Sequence, residues 1–246
     1  MEQGAVWVAE ADRIAVLTGA GISTESGIPD YRGPNGVWTT NPSSLRMMQI
    51  DVYLADPEIR RQAWLERMNH PAWSAQPNAG HAALADLERT GRLEALITQN
   101  IDGLHRAAGS REVLELHGSI LRCRCLECGF ETPMQQQLDR VRAGESDPAC
   151  ERCSGIQRSA TVAFGQQLDP GVLLPAFRAA DACDLFLAVG TSLTVQPAAQ
   201  LCQVAKRSGA RLVIVNAEPT PYDEIADRVI SAPIGESLPQ LLGTEC

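Results

Sequence analysis

The chain has 246 residues, 44% of them hydrophobic and 21% charged, and this composition excludes disordered and fibrous proteins. A formal net charge of −9 argues against a nucleic-acid surface or a polybasic membrane contact as its main role. No segment has the roughly 20 apolar residues of a membrane span, and residues 1–11 lack the basic start and apolar stretch of a signal peptide. We therefore expect a cytoplasmic protein without direct nucleic-acid or membrane partners.

Short, nearly continuous apolar runs alternate with helical patterns along the chain. This alternation is typical of βαβ units in which a parallel sheet is covered on both faces. The predicted strands cover residues 14–17, 93–98, 113–116, 185–189, 212–215 and 228–230. The predicted helices cover residues 78–89, 170–181 and 197–207. The pattern predicts an α/β fold with a doubly wound, Rossmann-like parallel sheet.

Two stretches interrupt this alternation and predict a smaller lobe. Residues 33–76 are rich in Pro, Asn, Ser and Trp and have helical patches, which predicts a helical insertion. Residues 121–159 carry paired cysteines around a predicted helix at 134–142, which predicts a zinc-binding module. We expect the remaining segments, 1–32, 77–120 and 160–246, to form the Rossmann-like domain.

Four cysteines form two C-x₂-C pairs that are separated by twenty-one residues: Cys125 with Cys128, and Cys150 with Cys153. Four thiolates make a closed tetrahedral site, so the predicted zinc ion is structural. Cys123 is a rival ligand, although the C-x-C pair it forms with Cys125 has a tighter bite. The other cysteines have no partner at metal spacing, and we expect the first two to be small buried apolar residues: Cys183, Cys202 and Cys246.

A glycine-containing turn, TGAGIS from Thr18 to Ser23, follows the first predicted strand. Glycines in such a turn let backbone N–H groups approach a phosphate at a helix N-terminus. The match to the dinucleotide fingerprint is incomplete, because Thr24 replaces its third glycine and no acidic residue ends a second strand about 20 residues later. A plain tight turn is therefore the alternative to a dinucleotide site.

Five strings occur along the chain: GAGISTESGIPDYR at 19–32, TQNIDGLHRAAG at 98–109, ELHG at 115–118, GTS at 190–192 and VIVN at 213–216. In this order they resemble the sirtuins, the NAD-dependent protein-lysine deacylases, over nearly the whole chain. The resemblance implies a bacterial-type catalytic core only, with NAD as co-substrate, one structural Zn²⁺, and acyl-lysine proteins or peptides as partners.

The resemblance also implies which residues bind NAD. The turn after the first strand would meet the pyrophosphate, and residues 30–32 would close over the ribose and nicotinamide, with Tyr31 where the family usually has Phe. We advance the hypothesis that Glu218 supplies the missing acidic ribose contact. The implied NAD contacts are Gly19, Ala20, Gly21, Ser23, Asp30, Tyr31, Arg32, Gln99, Asn100, Ile101, Asp102, Gly190, Thr191, Ser192, Asn216, Ala217 and Glu218.

His117 ends a predicted strand, at the edge of an open α/β sheet where ligands bind. Its ordinary pKa near 6.5 suits proton transfer. The resemblance implies that His117 is the general base, that Asn100 organises ribose and water, and that Asp102 binds the nicotinamide carboxamide. The alternatives are a structural histidine at a strand end and a merely polar turn at 99–102. For His105 we expect packing or hydrogen bonding.

For the peptide substrate, the resemblance implies an extended segment bound between two loops, at Val162, Phe164, Gly165 and Val195. Gln166 stands where many sirtuins have Glu. Members that prefer acidic acyl groups carry Tyr and Arg three residues apart in the helical insertion, whereas this chain offers Trp64 and Arg67. The missing tyrosine argues against desuccinylation, and Trp64 is either a core aromatic residue or a wall of the acyl pocket.

The implied activity is NAD-dependent deacylation, with deacetylation foremost. Acyl-lysine and NAD would give lysine, nicotinamide and O-acyl-ADP-ribose. The alternatives are a protein mono-ADP-ribosyltransferase, a longer-chain deacylase, and a module that only senses NAD or ADP-ribose. The intact His117 weighs against the last of these.

Overall fold

A computed structural model describes residues 2–244, the side chain of Ser43 excepted, so that Cys246 lies outside the described residues. The strands are β1 Ile14–Thr18, β2 Leu93–Thr98, β3 Val113–Glu115, β4 Gly118–Cys125, β5 Glu131–Pro133, β6 Gln157–Thr161, β7 Leu185–Val189, β8 Arg211–Val215 and β9 Arg228–Ile230. The helices are α1 Glu2–Glu10, α2 Val37–Thr40, α3 Ile50–Ala55, α4 Pro57–Met68, α5 Ala79–Arg89, α6 Leu104–Ala107, α7 Met134–Arg142, α8 Pro170–Ala182, α9 Gln200–Arg207 and α10 Ile234–Leu242. Short 3-10 helices cover Ala20–Ser26, Pro42–Met48, Pro71–Trp73 and Asp223–Ile225.

The larger sheet has six parallel strands in the order β3-β2-β1-β7-β8-β9. Counted along the chain within this sheet, the order is 3-2-1-4-5-6, which is that of dinucleotide-binding doubly wound folds. This confirms the predicted α/β fold. The strand order reverses between β1 and β7, and ligands bind at the carboxyl ends of the strands at such a switch point.

Both faces of this sheet are covered, because alternate residues of each strand point to opposite sides. Ile14 and Val16 of β1 pack in one core, which contains residues of α1, α5 and α10. Ala15 and Leu17 pack in the other core, which contains residues of α8 and α9. The sequence pattern did not predict α1 or α10, and Pro239 inside α10 obscures its helical period.

The smaller lobe joins the helical insertion to the cysteine-rich segment. Strands β5-β4-β6 form an antiparallel sheet, and α7 packs on it. Trp64 of α4 is fully buried in a core with Cys123 of β4 and with Leu138 of α7. Tyr53 of α3 donates a hydrogen bond to the Gln157 carbonyl at 2.7 Å. Trp64 is therefore a core residue of this lobe.

Helix α9 begins three residues later than the sequence pattern predicts. The amides of Gln200 and Leu201 bond to carbonyls three residues earlier, those of Pro197 and Ala198, at 3.0 and 3.2 Å. Such i→i−3 bonds are typical of a 3-10 turn at the start of a helix. Among the described residues, no helix is long and apolar enough to cross a membrane.

Candidate active site

Most of the sequence-predicted cofactor residues and His117 lie at one edge of the larger sheet. Residues 19–23 follow β1, residues 99–102 follow β2, residues 190–192 follow β7 and residues 216–218 follow β8, while His117 lies between β3 and β4. Parallel strands end at a common edge, so these five segments converge on the switch point between β1 and β7.

The glycines after β1 and β7 are required by a close approach of the two turns. Gly21 donates to the Gly190 carbonyl at 2.8 Å, and Gly19 donates to Val189 at 3.0 Å. A Cβ on Gly19 would lie 2.7 Å from the Gly190 oxygen, and one on Gly21 would lie 2.8 Å from the Gly190 Cα. No larger side chain fits at either position without moving the backbone. The glycines thus bring the turn that follows β1 against the end of β7.

A buried polar network joins the turn after β1 to the segment after β2. The Ser23 hydroxyl donates to Asp102 Oδ2 at 2.8 Å, and the Leu104 amide donates to Asp102 Oδ1 at 2.9 Å. The Asn100 amide nitrogen donates to the Gly19 carbonyl at 3.1 Å and to Ser23 Oγ at 3.2 Å. Both Asn100 amide hydrogens are used in these bonds, so Oδ1 is the side-chain atom that can bind a ligand.

A second row of buried groups, which sequence reasoning missed, supports this network. The Thr18 hydroxyl donates to Thr98 Oγ1 at 2.8 Å, and Thr98 Oγ1 accepts a bond from the backbone N–H of Asn100 at 3.0 Å. His105 Nε2 lies 2.8 Å from Thr18 Oγ1. Burial lowers the pKa of His105 to about 3, so the imidazole is neutral and can donate from Nε2. The sequence signal for this row was a threonine at the end of β1 and of β2, because predicted site residues follow both strands.

His81 lies behind the same site. Its Nδ1 accepts the Asn78 amide at 3.3 Å at the start of α5, which leaves Nε2, 3.5 Å from Ser23 Oγ, as the protonated nitrogen. Burial lowers the pKa of His81 to about 4. The capping geometry thus fixes a neutral imidazole against the serine that binds Asp102.

His117 has the geometry of a general base. Its Nδ1 lies 2.9 Å from the Gln99 carbonyl oxygen, which can only accept, so Nδ1 carries the proton and Nε2 the lone pair. Burial lowers the pKa of His117 below its ordinary value, and the bond to Gln99 opposes that shift. Gly118 follows at φ +72°, where a Cβ would overlap the Ala160 oxygen. The His117 imidazole is therefore neutral at pH 7 and has a fixed tautomer.

The loop at 30–32 is held by hydrogen bonds that Asp30 accepts from the residues following it. Asp30 Oδ1 accepts the Gly33 amide at 2.9 Å, and the Asp30 carbonyl accepts the Val37 amide at 2.8 Å. Burial raises the pKa of Tyr31, and the Asp102 carboxylate raises it further. Tyr31 itself is half-buried.

The remaining predicted NAD contacts line the same edge in different ways. Gln99 Nε2 donates to Thr191 Oγ1 at 2.8 Å. Ile101 packs on a small apolar cluster that includes Leu104. Asn216 Nδ2 donates to the Glu218 carbonyl at 2.7 Å, so its side chain closes the turn after β8. The Glu218 side chain is exposed at this turn.

The predicted peptide segment is anchored at both ends. The Val162 amide donates to the His117 carbonyl at 2.9 Å, which ties the segment to the proposed base. Gln166 Oε1 accepts both the Ala163 amide at 2.9 Å and Arg158 Nη1 at 3.0 Å. The Gln166 amide, where many members of the resembled family have a Glu carboxylate, therefore keeps the turn at 163–166 closed. It leaves the buried Arg158 with a neutral partner instead of a charged one. Val195, the other predicted peptide contact, is half-buried in the loop before α9.

The four cysteines of the C-x₂-C pairs form a metal-binding cluster, in which the sulfur atoms lie within 4.8 Å of one another. Cys125 Sγ is 3.5 Å from Cys153 Sγ, and Cys128 Sγ is 3.7 Å from Cys150 Sγ. A tetrahedral zinc site has sulfur atoms about 3.8 Å apart, so the donor set fits structural zinc. Cys123 is instead buried in the lobe core, and burial raises its pKa to about 12.

Comparisons with known proteins point to one family. Residues 19–197 match the model of the Sir2 family. NAD-dependent protein deacetylase 2 of Streptomyces coelicolor is 55% identical over 231 residues, which cover 93% of this chain and 96% of the relative. A solved structure of Sir2 with a p53 peptide and NAD⁺ superposes with a TM-score of 0.89 at 36% identity, covering 99% of this chain and 97% of that one. Sir2Tm bound to a propionylated peptide gives 0.89 at 34% identity, with 100% and 99% covered.

Proposed function

This chain belongs to the Sir2 family, and we propose that it is an NAD-dependent protein-lysine deacylase that acts foremost on acetyl-lysine. NAD supplies an activated ribose that accepts the acyl group and one water molecule is consumed, so that nicotinamide, O-acyl-ADP-ribose and free lysine are released. The observation that carries the proposal is the His117 imidazole, neutral and with its Nε2 lone pair available, beside the buried network of Asn100, Ser23 and Asp102.

The side chains of this network suit NAD by their chemistry. Asp102, with both oxygens already accepting one bond each, has lone pairs left for a carboxamide N–H. Asn100 Oδ1 can accept from a ribose hydroxyl or a water. His117 Nε2 can take a proton from a hydroxyl, and the low pKa keeps it ready to do so. The turn at residues 19–23, which Gly19 and Gly21 hold against the end of β7, would meet the pyrophosphate.

The division into domains and the peptide positions are part of the same proposal. Residues 1–32, 77–120 and 160–246 would bind NAD, residues 33–76 and 121–159 would form the small lobe, and the acyl-lysine peptide would lie along 162–165 and Val195. A cytoplasmic location is also proposed, since free thiols at metal spacing suit a reducing compartment. Cell fractionation tests that location.

A panel of acetyl-, butyryl-, succinyl- and longer acyl-lysine peptides tests the proposed activity. We expect nicotinamide release that depends on both NAD and the acyl group, and the fastest turnover with acetyl-lysine. Radiolabelled NAD distinguishes the alternatives, because a deacylase places the label in O-acyl-ADP-ribose whereas a mono-ADP-ribosyltransferase places it on protein. Nicotinamide release from none of the peptides would contradict the proposal.

Glu218 is predicted to bind the adenosine ribose, and its replacement gives a separate prediction. Its exposed carboxylate follows β8, at the edge where the other cofactor residues lie. We expect Glu218→Ala to weaken NAD binding about tenfold, the usual effect of losing one hydrogen bond to a charged group. Titration calorimetry measures this change, with Glu224→Ala, another exposed acid of the β8–β9 connection, as the matched control. Unchanged NAD affinity in Glu218→Ala would exclude the ribose contact.

A further inference from the structure

Three aromatic rings connect two parts of the site that serve different substrates. Tyr31 belongs to the loop assigned to NAD, and Phe164 belongs to the segment assigned to the peptide. Trp38 of α2 lies between them, with its ring centroid 4.9 Å from that of Tyr31 and 5.6 Å from that of Phe164. The rings are tilted by 38° and 52°, and both distances lie in the range of favourable aromatic pairs.

The row of three rings is held on its NAD side by more than one contact. The Arg32 guanidinium carbon lies 4.3 Å from the centroid of the Trp38 ring, within the range of a cation–π interaction. The Trp38 amide donates to the Tyr31 carbonyl at 3.0 Å. A movement of this loop therefore changes the environment of Trp38.

The peptide side is held by backbone pairing. The Phe164 amide donates to the Met48 carbonyl at 2.8 Å, and the Phe164 carbonyl accepts the Ile50 amide at 3.1 Å. These two bonds fix the backbone of Phe164 against the helical insertion, which also carries Trp38. The Phe164 side chain is 45% exposed, so a bound peptide can reach it.

Packing alone does not favour tryptophan at position 38. Within residues 2–244, Trp38 Nε1 is buried and makes no hydrogen bond, and a buried donor without a partner costs free energy. A phenylalanine or leucine would avoid this cost. The broad indole ring, in contrast, reaches Tyr31, Arg32 and Phe164 at once.

We propose that Trp38 is a positioning residue that couples the NAD site to the acyl-peptide site. When NAD orders Tyr31 and Arg32, these two residues hold the Trp38 ring. This ring in turn holds Phe164 in the position that receives the peptide. By linkage, a bound peptide strengthens NAD binding by the same factor. The inference rests on the proposed function for the identity of the two ligands.

The test measures the affinity of an acetyl-lysine peptide by titration calorimetry, with and without saturating ADP-ribose, which carries no nicotinamide to be released. In the wild-type protein we expect ADP-ribose to lower the peptide Kd about two- to tenfold, the worth of one or two aromatic contacts. In Trp38→Ala this ratio falls to about one, whereas Trp38→Phe, which keeps a ring, retains part of it.

Trp73→Phe is the matched control, since Trp73 lies in the same lobe and packs on its core; its coupling ratio should equal that of the wild type. If Trp38→Ala does not fold by circular dichroism, Trp38→Leu replaces it as the variant without a ring. A wild-type ratio of one, or an unchanged ratio in the ringless variant, overturns the coupling. Nicotinamide release is scored separately, so an active enzyme with uncoupled binding refutes this inference alone, and an inactive wild-type protein refutes the proposed function alone.

Discussion

Replacing His117 with alanine is expected to lower kcat for deacylation by about 10²- to 10⁴-fold, the usual loss when a general base is removed. The variant should keep its peptide segment in place, because the contact to the Val162 amide uses the His117 main-chain carbonyl. KM for the peptide should therefore change much less than kcat. Initial rates of nicotinamide and O-acyl-ADP-ribose formation, taken over a range of peptide concentrations at saturating NAD, measure both constants.

The pH profile of the wild-type enzyme provides a second readout of the same residue. Burial places the His117 pKa below its ordinary 6.5, and the base works when deprotonated. We expect kcat/KM to be constant around pH 7 and to fall on acidification only below pH 6.5. His117→Ala should lose this acid limb.

His70→Asn is the matched control, since His70 Nδ1 caps a short 3-10 helix by accepting the Ala72 amide and asparagine is also a capping residue. This variant should keep both kcat and the acid limb. Wild-type turnover in His117→Ala would contradict the assignment of His117 as the base.

The strands of the larger sheet could be predicted because burial on both faces leaves a continuous apolar run. Strands β1 and β7 are buried at every residue, and the predicted bounds of β2, β7 and β9 agree with the structure. Strand β4 was missed, since arginines occupy exposed positions along it and only its cysteines gave a signal. Patterning therefore predicts the fully buried sheet better than the half-exposed one.

The sheet topology predicts that the site residues converge, but it does not predict which of them bond to each other. Each predicted segment follows a strand of one parallel sheet, so strand order alone brings the segments to a common edge. The bond between Ser23 and Asp102 joins residues 79 positions apart, and no local pattern specifies which hydroxyl meets which carboxylate. The contact of Trp38 with Phe164 was missed for the same reason.

Loss of the zinc site is predicted to have the largest effect on the fold of the small lobe. In Cys150→Ser we expect the zinc content to fall from one ion per chain to near zero. Structural zinc contributes about 10–16 kcal/mol in small zinc-binding peptides, which is comparable to the whole stability of a typical domain. Strand β6 leads directly into the peptide segment at Val162. The variant should therefore lose peptide binding together with the order of residues 121–159.

Atomic absorption, limited proteolysis and peptide titration measure these three effects. Cys123→Ala is the matched control: Cys123 lies on the same strand as Cys125 but outside the four-sulfur cluster. It should retain zinc and resist proteolysis, with only the modest destabilisation of a small core cavity. Loss of zinc from Cys123→Ala would make Cys123 a ligand, and a zinc-free Cys150→Ser protein that stays fully folded would refute the structural role of the metal. The larger sheet has its own two cores, so ADP-ribose binding should survive in Cys150→Ser, which separates collapse of the small lobe from unfolding of the whole chain.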